Sequence, residues 1–382
     1  MKIVIGGDYC ENYRVSHKIK EDPRYTFFDE IKHIFNRADF SVVNFEFPIS
    51  CKNAEPIKKY GPGLKGTTNA IIPLKEAGVN VCTMANNHIL DEGLESCLYT
   101  KALLEENGFY TVGVGVNEIE SSNILYLSKD NEHLAIINCC EHEFSVAEGE
   151  NGGACPLDPI KQYYKIQEAK KTADYIIVIT HGGHEFFQLP SLRMIETYRF
   201  FIDAGADAVI NHHQHCYSGY EIYKEKPIFY GLGNLLFDWP QKRMDSWYEG
   251  FLLGLNFEKN NVVFELHPYF QCKKDVSVTL MNEYEKEKFF ENIKSLNSTI
   301  SDRDKLKKEL DSYYLSDGLN ALKVFEPYNG RIMNKLYYMG LLPSFCSGKR
   351  GLGILNYIQC ESHRDKMIDL LKNKYDTHKK RS

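Results

Sequence analysis

Residues capable of metal binding or acid–base chemistry recur in this sequence at the ends of five short β-like runs. The five clusters are Asp8 after KIVIGG; Asn44 and Glu46 in SVVNFE; Asn86, Asn87, His88 and Asp91 after VCTMA; His181, His184 and Glu185 after YIIVIT; and His212, His213 and His215 after DAVIN. Ligands of α/β sheets bind at the carboxyl ends of the strands, so we expect these clusters to converge.

The types of residue in the clusters indicate a mixed nitrogen and oxygen site for divalent metal ions. Imidazole, carboxylate and amide groups together suit Mn, Fe or Zn. Two such ions about 3.5–4 Å apart, bridged by a carboxylate, can polarise a phosphoryl oxygen and lower the pKa of a bound water. No thiol accompanies the clusters at zinc-finger spacing, which argues against a closed structural zinc site. We therefore predict two divalent ions as cofactors.

Each cluster taken alone also has a structural explanation. Asp8 is typical of a turn or helix cap, Glu46 fits a solvent-facing strand position, and an Asn-Asn pair commonly forms a turn. The histidines of NHHQH directly after a buried run are harder to explain structurally. The presence of all five clusters in one chain favours a metal centre.

The elements that position these residues alternate between β-rich and helical patterns. The predicted strands lie at 2–6, 40–47, 79–85, 134–140, 175–180, 207–211 and 227–234, and the predicted helices at 27–35, 67–78, 92–107, 157–173 and 191–205. This alternation predicts a layered α/β fold, followed by an antiparallel meander. Residues after about 275 are charged and helical, so we divide the chain into a domain at 1–275 and a helical C-terminal appendage at 276–382.

Composition excludes several classes of protein. Hydrophobic residues at 43% and charged residues at 26% exclude a disordered or fibrous chain. A net charge of −6 argues against a nucleic-acid partner. No apolar stretch reaches the roughly 18 residues of a membrane span, and the segment MKIVIGGDYC does not fit a signal peptide. We therefore expect no membrane span and a cytoplasmic location.

Five segments together resemble a known family. They are GGDYC, VVNFEFPIS, VCTMANNHILDEG, ITHGGHEFFQLPS and AGADAVINHHQHCYSGYEIYKEKPIFYGLGNLLFD. Their order over roughly residues 1–240 is similar to the bacterial capsule-synthesis protein CapA family, a poly-γ-glutamate synthesis group related to calcineurin-like metallophosphoesterases. The resemblance implies an α/β fold, a four-layer α/β/β/α metallophosphoesterase-like sandwich, with a metal centre at the strand ends.

The resemblance also implies roles for individual residues. The implied metal ligands are Asp8, Glu46 as the bridge, Asn87, His181, His213 and His215. His88 resembles the non-ligand histidine that binds the phosphoryl oxygen or assists the leaving group. Glu185 and Asp91 match family positions, and we assign them to the catalytic group with His88.

Three features depart from the pattern of the family. Cys10 stands where classical metallophosphoesterases have a histidine two residues after the first aspartate, so one ion is short of a ligand. Asn211 replaces the usual glycine before the final histidines. Many relatives carry an N-terminal membrane anchor, which we do not find in this sequence.

Three functions remain open at this point. The first is a metal-dependent hydrolase of a phosphoester, acting on a phosphorylated or polymer-derived small substrate in capsule, surface-polysaccharide or poly-γ-glutamate metabolism. The second is a non-catalytic accessory subunit of a polymer-assembly complex, which the missing first-motif histidine favours. The third is a metal-dependent γ-glutamyl amide hydrolase. The helices of 276–382 are a further candidate site for a protein partner.

Overall fold

A computed structural model describes residues 1–258 and 261–379 of the chain, so the last three residues of the predicted appendage lie outside the described residues. The strands are β1 (Lys2–Tyr9), β2 (Phe40–Phe45), β3 (Val81–Thr83), β4 (Tyr110–Val112), β5 (Val114–Gly115), β6 (Leu125–Lys129), β7 (Glu132–Cys140), β8 (Gly153–Ala154), β9 (Tyr175–His181), β10 (Ala208–His212), β11 (Tyr220–Tyr223), β12 (Lys226–Phe229), β13 (Asn234–Leu236), β14 (Glu249–Glu258), β15 (Asn261–Gln271) and β16 (Val278–Leu280). The α-helices are α1 (Arg14–Glu21), α2 (Lys32–Phe35), α3 (Ile71–Ala77), α4 (Gly93–Glu106), α5 (Glu118–Ser121), α6 (Pro159–Ala169), α7 (Leu192–Ala204), α8 (Glu283–Ser301), α9 (Arg303–Lys323), α10 (Arg331–Tyr338), α11 (Gly348–Gln359) and α12 (Glu361–Lys379).

Two large sheets carry the predicted strands. The first sheet has the order β16-β15-β14-β1-β2-β3-β4, with β13 also pairing to β1. The second has the order β11-β12-β10-β9-β7-β6. Strands β1 to β4 are parallel to one another, as are β7, β9, β10 and β12. The carboxyl ends of each parallel set therefore lie along one edge of its sheet.

The hydrophobic core lies between the two sheets. Ile3 and Ile5 of β1 belong to one buried cluster with Ile177 of β9 and Ile210 of β10. Helices pack on the outer sides: α6 contacts β7, α7 contacts β10, and α4 contacts β4. The predicted four-layer α/β/β/α arrangement is confirmed, because each sheet buries its inner face against the other sheet and its outer face under helices.

The predicted helix at 27–35 was largely wrong. Only α2, at its end, is helical, because the carbonyl of Phe27 accepts a hydrogen bond at 2.8 Å from the backbone N–H of Val278 in β16. That tertiary pairing overrides the helical pattern of the sequence. The proline in the predicted helix at 67–78 is accommodated, because Pro73 lies in the first turn of α3, where a missing N–H leaves no hydrogen bond unmade.

The chain divides into two compact units, Met1–Leu306 and Lys307–Ser382. The first unit contains both sheets and the predicted antiparallel meander, formed by β14, β15 and β16. In the second unit, the Glu326 carboxylate accepts hydrogen bonds from Ser344 Oγ at 2.7 Å and the Phe345 N–H at 2.8 Å. The division proposed at residue 275 stays a prediction. No helix within the described residues is long and apolar enough to cross a membrane.

Candidate metal centre

The first sheet places Asp8 between two asparagines. In the parallel register of β1, Asp8 lies opposite Asn44 of β2 and Asn234 of β13. The glycine at position 7 lets β1 lie close to the residue that precedes β13, because a Cβ at Gly7 would lie 1.8 Å from the carbonyl oxygen of Gly233. The Nδ2 of Asn44 donates to Asp8 Oδ1 at 2.7 Å, which fixes the carboxylate at the strand end.

The second sheet delivers the histidines to the same place. His181 ends β9 directly opposite His212, which ends β10, and His213 and His215 follow. The backbone N–H of His213 donates to Asp8 Oδ2 at 3.3 Å, so the edges of the two sheets meet here. His213 and His215 have φ angles of 92° and 54°, a left-handed conformation that costs free energy for residues other than glycine and is common at functional sites.

Two groups of potential metal ligands share one carboxylate. Glu46, His181 and His213 form the first group, and Asp8, Glu46 and His215 form the second. Within each group, one ligand atom from every residue lies within 4.8 Å of the others, and all five residues are buried. Glu46 is therefore the residue that the two groups have in common.

Glu46 Oε1 is the atom on which both groups converge. It is buried and has no hydrogen-bond partner among the described residues. His215 Nε2 lies 3.6 Å and His181 Nε2 lies 3.8 Å from it, beyond hydrogen-bonding distance in both cases. A buried carboxylate oxygen left unpaired is costly unless a cation compensates it, so the residues fit metal ions here.

Asn87 completes the first group. Its Oδ1 lies 3.0 Å from His181 Nε2, and His213 Nδ1 lies 3.1 Å from the same nitrogen. Ligand atoms about 2.1 Å from a tetrahedral ion are themselves about 3.4 Å apart, so these separations suit a shared ion.

The electrostatics of the site favour the neutral form of the histidines that lie beside the carboxyl groups of Asp8 and Glu46. Burial lowers the pKa of His181 well below its ordinary value, and the neighbouring His213 adds to this effect. Burial also lowers the pKa of His215, against the opposing charge of Asp8. Burial raises the pKa of Glu46 well above its ordinary value, and the charge of Asp8 raises it further. Neutral imidazole is the form that binds metal, and a divalent cation would offset the cost of ionised Glu46.

The two residues that depart from the family pattern, Cys10 and Asn211, have different structural consequences. Cys10 is fully buried and belongs to neither ligand group, and burial raises the pKa of its thiol. Asn211 has an architectural function: its Nδ2 donates to the carbonyls of Gly182 at 2.9 Å and Tyr230 at 3.0 Å. Its Oδ1 accepts from the hydroxyl of Tyr198 at 2.8 Å. Asn211 thereby links the segments that follow β9 and β12.

His88 and Asp91 form a pair beside the metal ligands. His88 Nδ1 lies 2.6 Å from Asp91 Oδ2, which also accepts from the Leu64 N–H at 2.7 Å. Lys59 Nζ forms an ion pair with Asp91 Oδ1. Lys59 Nζ also lies 3.0 Å from His88 Nδ1, so Asp91 and Lys59 together fix the position of the ring, and Nε2 is the nitrogen that neither of them contacts. Glu185, by contrast, is exposed at the rim of the site.

Three residues of the site were missed in the sequence. Asn234 Oδ1 lies 2.9 Å from His215 Nδ1, and the glycines of GLGN before it were the available signal. Glu143 Oε2 accepts from Asn87 Nδ2 at 3.3 Å, and its Oε1 lies 3.6 Å from His213 Nε2. Glu143 and Lys59 lie in loops with no periodic pattern, so no local signal could have identified them.

Comparison with known sequences gives one family and several relatives. A family model described as "Bacterial capsule synthesis protein PGA_cap" matches residues 2–239. A Bacillus anthracis protein named "Capsule biosynthesis protein CapA" is 30% identical over 219 residues, covering 55% of this chain and 53% of the relative. The Bacillus subtilis "PGA biosynthesis protein CapA" is 28% identical over 269 residues, covering 69% of each chain.

A more distant relative carries a different description. A Mycobacterium tuberculosis protein described as a "Probable polyglutamine synthesis accessory protein" is 28% identical over 173 residues, covering 42% of this chain and 46% of the relative. The chain thus spans about half the length of the Bacillus anthracis protein. The match to the family model contains every residue of the two ligand groups.

Proposed function

Because the chain belongs to the bacterial capsule synthesis family PGA_cap, we propose that it is a metal-dependent hydrolase of a phosphoester in capsule, surface-polysaccharide or poly-γ-glutamate metabolism. The observation that carries the proposal is the buried, unpaired Oε1 of Glu46, which lies between His181 and His215. A carboxylate in that position serves two cations, and paired cations suit displacement at phosphorus.

The ligand groups define how the ions would be held. Asn87, His181 and His213 would hold one ion, Asp8 and His215 the other, and Glu46 both. When bound, such ions supply Lewis-acid polarisation of the phosphoryl group and of a water molecule. Burial of the ligands excludes bulk water, which strengthens every charge interaction at the reacting centre.

His88 is the residue that would handle the proton of the leaving group. Asp91 and Lys59 hold the ring at Nδ1, and in its imidazolium form His88 would donate the Nε2 proton to the departing oxygen, which leaves the ring neutral. Lys59 compensates the charge of Asp91 and restrains the loop that carries it. Glu185, exposed at the rim, would contact the part of the substrate that extends out of the site.

An activity screen after metal reconstitution tests the proposal. Chelated protein is reloaded with Mn²⁺, Fe²⁺ or Zn²⁺ and assayed on 4-nitrophenyl phosphate, bis(4-nitrophenyl) phosphate and γ-glutamyl-4-nitroanilide. We expect metal-dependent hydrolysis of a phosphate ester, lost in His213→Ala and retained in His267→Ala, a control in β15. Hydrolysis of the anilide alone would instead support the γ-glutamyl amide hydrolase.

Cys10 favours a second candidate function, an accessory subunit of a polymer-assembly complex with a degenerate metal site. The buried thiol of Cys10 belongs to neither ligand group, so the group of Asp8, Glu46 and His215 lacks the ligand that the classical motif supplies. The description of the mycobacterial relative is in keeping with this role. Elemental analysis of protein purified without chelator separates the two candidates: about two ions per chain support the hydrolase, and fewer than about one supports the accessory subunit. The protein partner of the C-terminal helices stays a prediction.

A further inference from the structure

Arg243 is held against three aromatic rings next to the metal centre. Its Cζ lies 5.1 Å from the ring centroid of Phe186, 4.7 Å from that of Trp239 and 5.2 Å from that of Trp247. The two tryptophans are the only ones in the chain. We call these four residues, Arg243, Phe186, Trp239 and Trp247, the aromatic box.

The aromatic box contacts His215, one of the proposed metal ligands. The ring of Phe186 stacks on that of His215 with centroids 6.0 Å apart, and the ring of Trp247 lies 5.1 Å from that of His215. Phe186 has a φ of 62° and its N–H donates to the carbonyl of Gln214 at 2.8 Å. The segment after β9 therefore adopts a strained conformation that turns a ring toward the final histidines.

The guanidinium of Arg243 lacks a carboxylate partner. No acidic side chain among the described residues forms an ion pair with it, and its Nε is buried without a hydrogen bond. The acidic residue of the same loop, Asp238, is already occupied by Arg14, with Nε 2.7 Å from Oδ2. Glu185 adjoins Phe186 but forms no ion pair with Arg243 in the described structure.

An arginine held in this way is suited to bind an anion. Ring faces attract the flat guanidinium and restrict its motion, while the N–H donors of its two terminal nitrogens stay available. Those donors form a fork that matches the two oxygens of a carboxylate or phosphate. Arg14 shows the alternative, a guanidinium whose donors are taken up by the carboxylate of Asp238.

We propose that the aromatic box is a binding subsite for a second anionic group of the substrate, a carboxylate or a phosphate, apart from the group that reacts at the metal centre. The inference rests on the proposed function in one respect, since it assigns this subsite to the substrate of that centre. A subsite of this kind restricts the substrate class to molecules that carry a second oxyanion beside the bond to be cleaved. Arg243 would select these molecules and contribute to their affinity.

Intrinsic fluorescence tests the subsite without any turnover, because both tryptophans belong to it. Metal-loaded protein is titrated with glutarate, as a carboxylate probe, and with pyrophosphate, as a phosphate probe. We expect saturable changes in tryptophan emission with at least one probe. In Arg243→Met the affinity should fall about tenfold or more, and Arg243→Lys should retain part of it because the charge remains. Arg24→Met, at an exposed arginine outside the box, is the matched control and should bind as the wild type does.

The outcomes separate this inference from the proposed function. No emission change in the wild-type protein, or an equal affinity in Arg243→Met, overturns the subsite. A saturable change that Arg243→Met loses and Arg24→Met keeps supports it. If that result is obtained while no phosphate ester is hydrolysed, the proposed hydrolase fails and the subsite stands.

Discussion

Asn234 Oδ1 lies 2.9 Å from Nδ1 of His215 and, as an acceptor, holds the proton on that nitrogen. The other ring nitrogen, Nε2, therefore keeps its lone pair and lies 3.6 Å from Glu46 Oε1. A metal-binding histidine commonly donates its second N–H to an oxygen in this way, which fixes the tautomer and the orientation of the ring. We therefore expect Asn234 to be a positioning residue for the ion that Asp8 and His215 are proposed to hold.

Replacing Asn234 by alanine should weaken the binding of one of the two ions. The loss of an outer hydrogen bond to a ligand typically reduces metal affinity by about 10- to 100-fold. Isothermal titration with Mn²⁺ should show one site weakened by this factor and the other little changed. Asn234→Asp, which keeps an acceptor oxygen, should restore most of the affinity. Equal affinities in wild type and Asn234→Ala would contradict the positioning role.

Replacing Glu46 by glutamine should affect both ions. Glutamine retains the size of the side chain but removes the charge that the two proposed cations would share, so total bound metal should fall from about two ions per chain to one or fewer. Elemental analysis after dialysis measures this number. Glu265→Gln, an exposed change in β15, is the control and should leave the metal content unaltered. Two ions retained in Glu46→Gln would exclude a bridging role.

Replacing Asp91 by asparagine should impair turnover without removing metal. Asparagine would replace the charged acceptor of the His88 ring with a neutral amide, and general acid catalysis is worth about 10²- to 10⁴-fold in rate. We expect kcat on a phosphate ester to fall by about 10²-fold, with bound metal unchanged. Asp39→Asn, a change at the residue before β2, should leave kcat near that of the wild type. Loss of metal in Asp91→Asn would place Asp91 among the ligands instead.

The strand ends were predictable from sequence because their signal is local. A buried β-like run followed by Asp8 or His213 indicates a carboxyl end, and parallel strands bring such ends together. The contacts of Lys59 and Asn234 were not predictable, since they depend on which loops fold over the site. The segment at 27–35 shows the converse, a helical pattern overruled by the long-range pairing of Phe27 with β16.

The metal-free protein should lose stability as the pH falls below about 6.5, the ordinary pKa of histidine. Burial lowers the pKa of His181, His212 and His215, so near this pH the unfolded chain binds protons that the folded chain does not. Each imidazole then contributes a slope of up to about 1.4 kcal/mol per pH unit in the free energy of unfolding. The raised pKa of Glu46 has the opposite effect on the free energy of unfolding at pH values above about 4.5, because the folded chain there binds a proton that the unfolded chain does not. The effect of the three histidines should exceed that of this single carboxyl group.

Urea unfolding of chelated protein between pH 7.5 and 5.5 measures this dependence. The free energy of unfolding should decrease toward acid pH, and the slope should become smaller in His212→Asn, which removes one of the three imidazoles. His133→Gln, a change in β7 outside the metal centre, should keep the wild-type slope. A free energy of unfolding that is constant or rises toward pH 5.5 would contradict the buried, neutral state of these histidines.

Anomalous diffraction from crystals grown with Mn²⁺ tests the shared carboxylate most directly. We predict two peaks, one on each side of Glu46 Oε1. One peak should contact Asp8 and His215, and the other Asn87, His181 and His213. A single peak that Glu46 does not contact, or no peak among these residues at saturating Mn²⁺, would contradict the two-ion centre on which the proposed hydrolase depends.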